Sequence, residues 1–247
     1  MAEIHHHTPK RSVSMATTMP APVHSFLVAA LVCGLGLLTL AIAFPGTGPV
    51  QAVAALVVYG AAVAIAARAL AQDHPFPRLG FGNLTTLLRL ALTAALIAPV
   101  FAGTGTSWPV FAVALGALSL DGIDGWLARR QGLTSAFGAR FDMEVDAGLA
   151  LVLALNVLAG GDAGWAILLL GLPRYVFIGA MALLPWMRRE LPERFSRKAI
   201  CVLQVGALIA LQAPILPHVI ATALELSVAA ALAWSFARDV VWLWRQA

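Results

Sequence analysis

The chain has 247 residues, 60% hydrophobic and only 11% charged, against about 25% charged residues in a soluble globular domain, which excludes an ordinary water-soluble enzyme. A net charge of +4 and an isoelectric point near 9.7 do not argue for nucleic acid, because the basic residues gather in short loops between apolar runs, as the positive-inside rule requires. Cys33 and Cys201 both lie inside apolar runs, which argues against a disulfide framework or a cysteine metal site.

Residues 1–22 read as a polar, disordered cytoplasmic leader whose run of three histidines is too short for a purification tag. Eight apolar runs follow, over residues 25–44, 50–70, 84–102, 108–128, 141–160, 164–186, 199–216 and 218–242. Each approaches the roughly 20 residues a helix needs to cross the hydrocarbon. They predict an all-α integral membrane bundle of eight transmembrane helices, since only helices and closed barrels satisfy every backbone group in lipid. The first run ends in Ala41-Ile42-Ala43, as a signal-peptidase site would, but it is too long for a signal core and is read as a retained helix.

Lys10 and Arg11 precede the first run, Arg68 and Arg78 follow the second, and Arg129 and Arg130 follow the fourth. Arg188, Arg189, Arg194, Arg197 and Lys198 follow the sixth, and Arg238 and Arg245 close the chain. All fall on one side of an alternating bundle, and the opposite loops carry no Lys or Arg. Both termini are therefore predicted to be cytoplasmic, in an inner or cell membrane.

Of twelve acidic residues, five (Asp121, Asp124, Asp142, Glu144 and Asp146) fall within 26 positions. An Asp deep in a membrane helix costs about 2.5–3.5 kcal/mol on insertion scales, so such residues mark ion or substrate sites. Asp121 and Asp124 are i, i+3 at the end of the fourth run, and Asp142 and Asp146 are i, i+4 at the start of the fifth. Each pair shares a helix face, and the short linker predicts antiparallel neighbours whose four carboxylates converge. Carboxylates so placed need cations between them, and all-oxygen ligation suits Mg²⁺, Mn²⁺ or Ca²⁺ rather than zinc. Two ions about 3.5–4 Å apart would clamp a phosphoryl group for in-line displacement. Gly122, Gly125, Gly132 and Gly138 would let a bulky ligand approach the backbone, with Arg129 placed to pair with a diphosphate. The plainer alternative pairs the aspartates with Arg129, Arg130 and Arg140 as interfacial ion pairs. Glu144 lies off the Asp142/Asp146 face and reads as a solvated or ion-paired bystander.

The stretch DGIDGWLARRQGLTSAFGARFDMEVD, Asp121 to Asp146, resembles the signature of the CDP-alcohol phosphotransferases, D-x2-D-G-x2-A-R-x8-G-x3-D-x3-D. Every fixed position is present: Asp121, Asp124, Gly125, Ala128, Arg129, Gly138, Asp142 and Asp146. The resemblance implies a six-helix catalytic core open to the cytosol over residues 80–247, preceded by two additional helices within 23–72. FGNLTTLLRLAL, with Asn83, Thr85 and Arg89, looks like the opening of that core; Asn83 and Thr85 could equally cap the third helix. By the same resemblance, Asp121, Asp124, Asp142 and Asp146 would hold two Mg²⁺ or Mn²⁺ ions, and Asp146 would also act as general base. Gly125, Ala128, Arg129 and Gly138 would line the CDP pocket, and the protein would form a homodimer.

The reaction so implied moves the phosphatidyl group of CDP-diacylglycerol to a small polar alcohol with release of CMP. Arg174, placed near the middle of the sixth run, either helps hold the acceptor or pairs with a buried acid such as Glu225. The basic loop with Arg188, Arg189 and Lys198 would suit a phosphorylated acceptor, and glycerol 3-phosphate, giving phosphatidylglycerophosphate, is the best match. The segment RKAICVLQ partly resembles the G-K-x-K-T-x-x-Q pattern of phosphatidylglycerophosphate synthases, keeping Lys198 and Gln204 but with Arg197, Ile200 and Cys201 at the other fixed positions. Head-group transfer from CDP-choline or CDP-ethanolamine to a lipid alcohol shares the same signature. A divalent-cation transporter or a silent membrane scaffold would be alternatives of another class, though clustering of the acids at one membrane face disfavours a permeation path.

Overall fold

The computed structural model describes residues 21–161, 163–189 and 195–246, apart from the side chains of Phe195 and Lys198. Most of the predicted leader lies outside the described residues, while Ala21 and Pro22 already belong to the first helix. Every regular element among the described residues is helical.

Helices α1 (Ala21–Ala43) and α2 (Pro49–Asp73) form a hairpin, tied where the buried Tyr59 hydroxyl donates to Ala30 O at 2.9 Å. Next come α3 (Phe81–Ala95) and α4 (Ile97–Ala102), one span with a break at Leu96. Pro99 lacks an N–H and crowds the carbonyl four residues back, which interrupts the helix just there. The buried Asn156 amide donates to Leu96 O at 2.9 Å and binds the break to the rest of the bundle.

Helix α5 (Trp108–Gln131) starts at Ser107, whose hydroxyl accepts the Val110 N–H, with a proline in the first turn. It ends at Gly132, whose φ of +66° is the left-handed conformation glycine adopts without strain. Helix α6 (Ala136–Ala159) follows at once because Ser135 Oγ accepts the Gly138 N–H at 3.0 Å. A 3-10 turn (Trp165–Ile167), α7 (Leu168–Gly171) and α8 (Pro173–Leu183) come next, then a second 3-10 turn (Pro185–Arg188), α9 (Phe195–Ala210) and α10 (His218–Trp244).

Each of the eight predicted runs contains helix, but the count of eight spans is not reproduced. By length and hydropathy, α1, α2, Phe81–Ala102, α5 and α10 can each cross a membrane, and Trp165–Leu183 makes a sixth if its two helices, bent by 72°, are one span. Helix α6 falls short because Asp142, Glu144 and Asp146 occupy it, and α9 has only 16 residues. The predicted single sixth helix is thus broken at Leu172–Pro173. Arg174 stands in the first turn after the break rather than in mid-helix.

The span containing α3 is the most enclosed, with over half of its apolar window buried. Helices α1, α2, α5 and α6 all pack on α3, whereas α5 and α6 scarcely touch each other. The predicted antiparallel α5/α6 pair is therefore corrected: α3 supplies the surface that both share. The amino-terminal hairpin leans on α6 as well. Phe26, fully buried, meets Phe141 edge-to-face with centroids 5.9 Å apart, and Phe141 stacks on Phe137. At the exposed margin Arg140 pairs with Asp73 at 2.8 Å. Replacing Phe26 with Ala should cost about 3 kcal/mol, the low end of the buried Phe→Ala range, measured by unfolding in detergent micelles. Unchanged stability would mean that this contact does not brace α6.

Candidate active site

Arg89 sits on α3 with a side chain only 1% exposed, and its guanidinium reaches all four signature aspartates. Nη1 lies 2.8 Å from Asp124 Oδ2 and 2.6 Å from Asp142 Oδ1. Nη2 lies 2.8 Å from Asp121 Oδ1 and also donates to Asp146 Oδ1. The helices dictate this convergence. Asp121 and Asp124 lie on one face of α5, Asp142 and Asp146 on one face of α6, and α3 presents Arg89 between them. The predicted convergence of four carboxylates therefore holds, through a residue on a third helix.

The interfacial ion-pair alternative had other partners in view. Arg140 pairs with Asp73, and Arg130 lies over the Trp126 ring, 5.0 Å from its centroid. Arg129 makes no side-chain ion pair among the described residues.

The four aspartates are not equivalent. Asp124 is buried, and its Oδ2 accepts from Thr86 at 3.2 Å as well as from Arg89. Its Oδ1 accepts the Gly125 N–H at 2.6 Å. Asp121, Asp142 and Asp146 are more open, and each brings an oxygen within 4.8 Å of the other two. Three carboxylate oxygens so gathered fit a hard divalent cation. The charge fits too: one guanidinium against four carboxylates leaves three formal negative charges when all are ionised.

Beside this cluster lies a cavity of about 210 Å³ whose lining includes Asp124, Asp142 and all four residues predicted to meet CDP: Gly125, Ala128, Arg129 and Gly138. Gly125 is not required for helix packing. A Cβ there would meet only the Arg129 guanidinium, at 3.2 Å, so the missing side chain leaves space next to a cation. Gly82 serves the opposite purpose. A Cβ there would come within 2.9 Å of Asp124 O and 3.0 Å of Ala128 Cβ, so Gly82 sets how closely α3 approaches α5.

Asn83 and Thr85 are not helix caps, because α3 begins at Phe81 after Gly80. Thr85 donates back to Phe81 O. Asn83 is buried, donates to Leu79 O at 2.6 Å and lines the cavity.

The acceptor candidates are dispersed. Arg174 pairs with Glu144, not Glu225, which replaces the predicted buried partner by the supposed bystander one face round on α6. Arg188 donates to Met181 O at 3.0 Å and Ala182 O at 3.4 Å, spending donors on the carboxyl end of α8. Arg189 is exposed, and the Lys198 side chain lies outside the description. A cluster that the sequence reading passed over joins α9 to α10: Arg238 donates to Ser196 at 3.1 Å, and Arg197 lies 3.5 Å from the buried Asp239. An acid inside the last apolar run was its signal.

Apolar helices around a carboxylate-rich centre define an integral membrane protein. The chain belongs to the CDP-alcohol phosphatidyltransferase family, whose model matches residues 79–237. It is 30% identical over 135 residues to proteins from two strains of Mycobacterium tuberculosis, each named a probable phosphatidylglycerophosphate synthase. The match covers 51% of this chain and 62% of each relative, so the chain spans less than two thirds of the curated relatives it matches. No solved structure matches it.

Proposed function

We propose that the protein transfers the phosphatidyl group of CDP-diacylglycerol to a small polar alcohol, glycerol 3-phosphate being the best candidate, with release of CMP. The observation that carries this reading is the adjacency of the four aspartates to a cavity lined by Gly125, Ala128, Arg129 and Gly138. The relatives' name supports the acceptor.

In this reading Arg129, lining the cavity without an ion-pair partner among the described residues, binds the diphosphate. Gly125 and Gly138 leave room for the nucleoside. Asp121, Asp142 and Asp146, with Asp124 behind them, would hold two Mg²⁺ or Mn²⁺ ions. Bound there, the ions would neutralise the diphosphate and the departing CMP.

Asp146 takes the proton of the acceptor hydroxyl. The resulting oxygen forms a bond to the lipid-linked phosphorus while the bond from that phosphorus to the CMP oxygen breaks. Asp146 has the most exposed side chain of the four, at 43%, which suits a group that must meet an incoming alcohol. Arg174 and Arg188, with Arg189 and Lys198, are proposed to draw the acceptor phosphate. The site would face the cytoplasm of the cell membrane, with cytoplasmic termini and a homodimeric assembly. Residues 80–247 would form the catalytic unit, and the two helices within 23–72 an addition to it.

Replacing Arg129 with Ala should raise KM for CDP-diacylglycerol by about 10–100-fold, the loss of a charge-assisted hydrogen-bond pair of about 1.5–3 kcal/mol. An unchanged KM would remove Arg129 from the donor site. The test of the function is CMP release by purified protein given CDP-diacylglycerol and Mg²⁺, with glycerol 3-phosphate, serine, inositol phosphate, glycerol or choline supplied separately. Release that depends on glycerol 3-phosphate supports the full reading. Release with another alcohol corrects the acceptor; in a parallel arm with CDP-choline and diacylglycerol as the only pair, release confined to that arm replaces the donor.

A further inference from the structure

We propose that Arg89 is an internal counter-cation that competes with divalent metal for Asp121, Asp142 and Asp146, holding the carboxylate cage together until metal replaces it. The inference rests on the reading of these aspartates as metal-holding residues. Three observations carry it. The guanidinium is buried and meets both acidic pairs at once, so it occupies the point where the charges of α5 and α6 converge. Its two terminal nitrogens make all of these contacts, while Nε has no partner among the described residues. It is therefore held by the cage alone, without a neutral acceptor to fix it there. Finally, Asp124 is built differently from the other three. Buried and held by Thr86 and the Gly125 N–H, it offers Arg89 a permanent partner.

Like charges govern the assembly of this site. Bringing α5 and α6 against α3 gathers four carboxylates at one point, and without a cation their repulsion would splay the helices. Arg89 supplies that cation from within the chain and lets the bundle close in the absence of metal. The same positive charge opposes a divalent ion entering the triad. Asp121, Asp142 and Asp146 cannot direct the same oxygens fully to a guanidinium and to a metal. Loading must therefore exchange some Arg89 contacts, leaving Asp124 as its anchor. Metal affinity is thereby lowered in exchange for a cage assembled in advance.

The test is Mn²⁺ titration of detergent-purified wild type, Arg89→Gln and Arg89→Lys, following free Mn²⁺ by electron paramagnetic resonance, with melting temperatures recorded with and without Mn²⁺. Arg89→Gln should bind Mn²⁺ at least about tenfold more tightly than wild type, because a charge of the same sign has left the site. Its metal-free form should melt lower, and its Mn²⁺-induced rise in melting temperature should exceed that of wild type. Arg89→Lys keeps one charge but cannot span four carboxylates, and should fall between the two. If Arg89→Gln does not fold, the Lys variant decides on the same criterion. Unchanged or weaker Mn²⁺ binding by the folded variants would overturn the inference and make Arg89 a ligand-orienting residue. Asp142→Asn is titrated alongside; if it and wild type bind Mn²⁺ alike, the metal reading itself fails, a result distinct from the Arg89 comparison.

Discussion

Replacing Asp146 with Asn is expected to lower turnover by about 10²–10⁴-fold, the usual contribution of a positioned general base, while the protein stays folded. Asn is nearly isosteric with Asp and can still accept a hydrogen bond from Arg89 Nη2 through its carbonyl oxygen, so the contacts to α3 survive. What disappears is the negative charge and the ability to hold a proton. Asp124→Asn makes the instructive contrast. Asp124 is buried and bonded to Thr86, Arg89 and the Gly125 N–H, so its loss should lower stability along with activity. If Asp146→Asn turned over at the wild-type rate, the proton would have to leave by another group.

Removal of divalent metal with EDTA is expected to bring CMP release down by at least about 10³-fold, since bound metal supplies several kcal/mol of charge stabilisation in such transfers. Mg²⁺ or Mn²⁺ should restore it. The sign follows from the charges at the site: Arg89 balances one of the four carboxylates, and the negative charge that remains repels a diphosphate donor. Arg129, a single cation in the cavity lining, cannot offset the remaining carboxylate charge and a diphosphate together. Full activity in EDTA, checked against a metal analysis of the same sample, would show that the cage works with Arg89 alone.

The acidic cluster was legible because charged residues are scarce in the apolar runs and their spacing is local: i, i+3 on α5 and i, i+4 on α6 set each pair on one face whatever the tertiary structure. The connection was read only as a short linker; Gly132, taken there as room for a ligand, is the helix stop of α5, and Ser135 is the helix start of α6. Arg89 was noticed as part of the opening segment of the core, but its role was not, because Asp142 and Asp146 are 53 and 57 residues away in sequence. No local spacing rule connects such positions. A clue was present, for an arginine inside an apolar run must find a partner. The packing of α5 and α6 on α3 rather than on each other is likewise a tertiary choice, which a short loop does not determine.

The break before Arg174 had a sequence signal in Gly171 and Pro173, both poor helix-interior residues, yet the apolar length of the run favoured a single span. Arg174 pairs with Glu144 from the first turn of α8. Glu144 was read as solvated or ion-paired, but its partner, 30 residues away, was not named.

The most direct test of the central claim is acceptor-dependent CMP release from CDP-diacylglycerol and glycerol 3-phosphate, measured in parallel on purified wild type and Asp142→Asn in Mg²⁺. Release by wild type and none above background from the variant is expected, since Asp142 belongs to the gathered triad and also lines the cavity. Equal release by both proteins would contradict it.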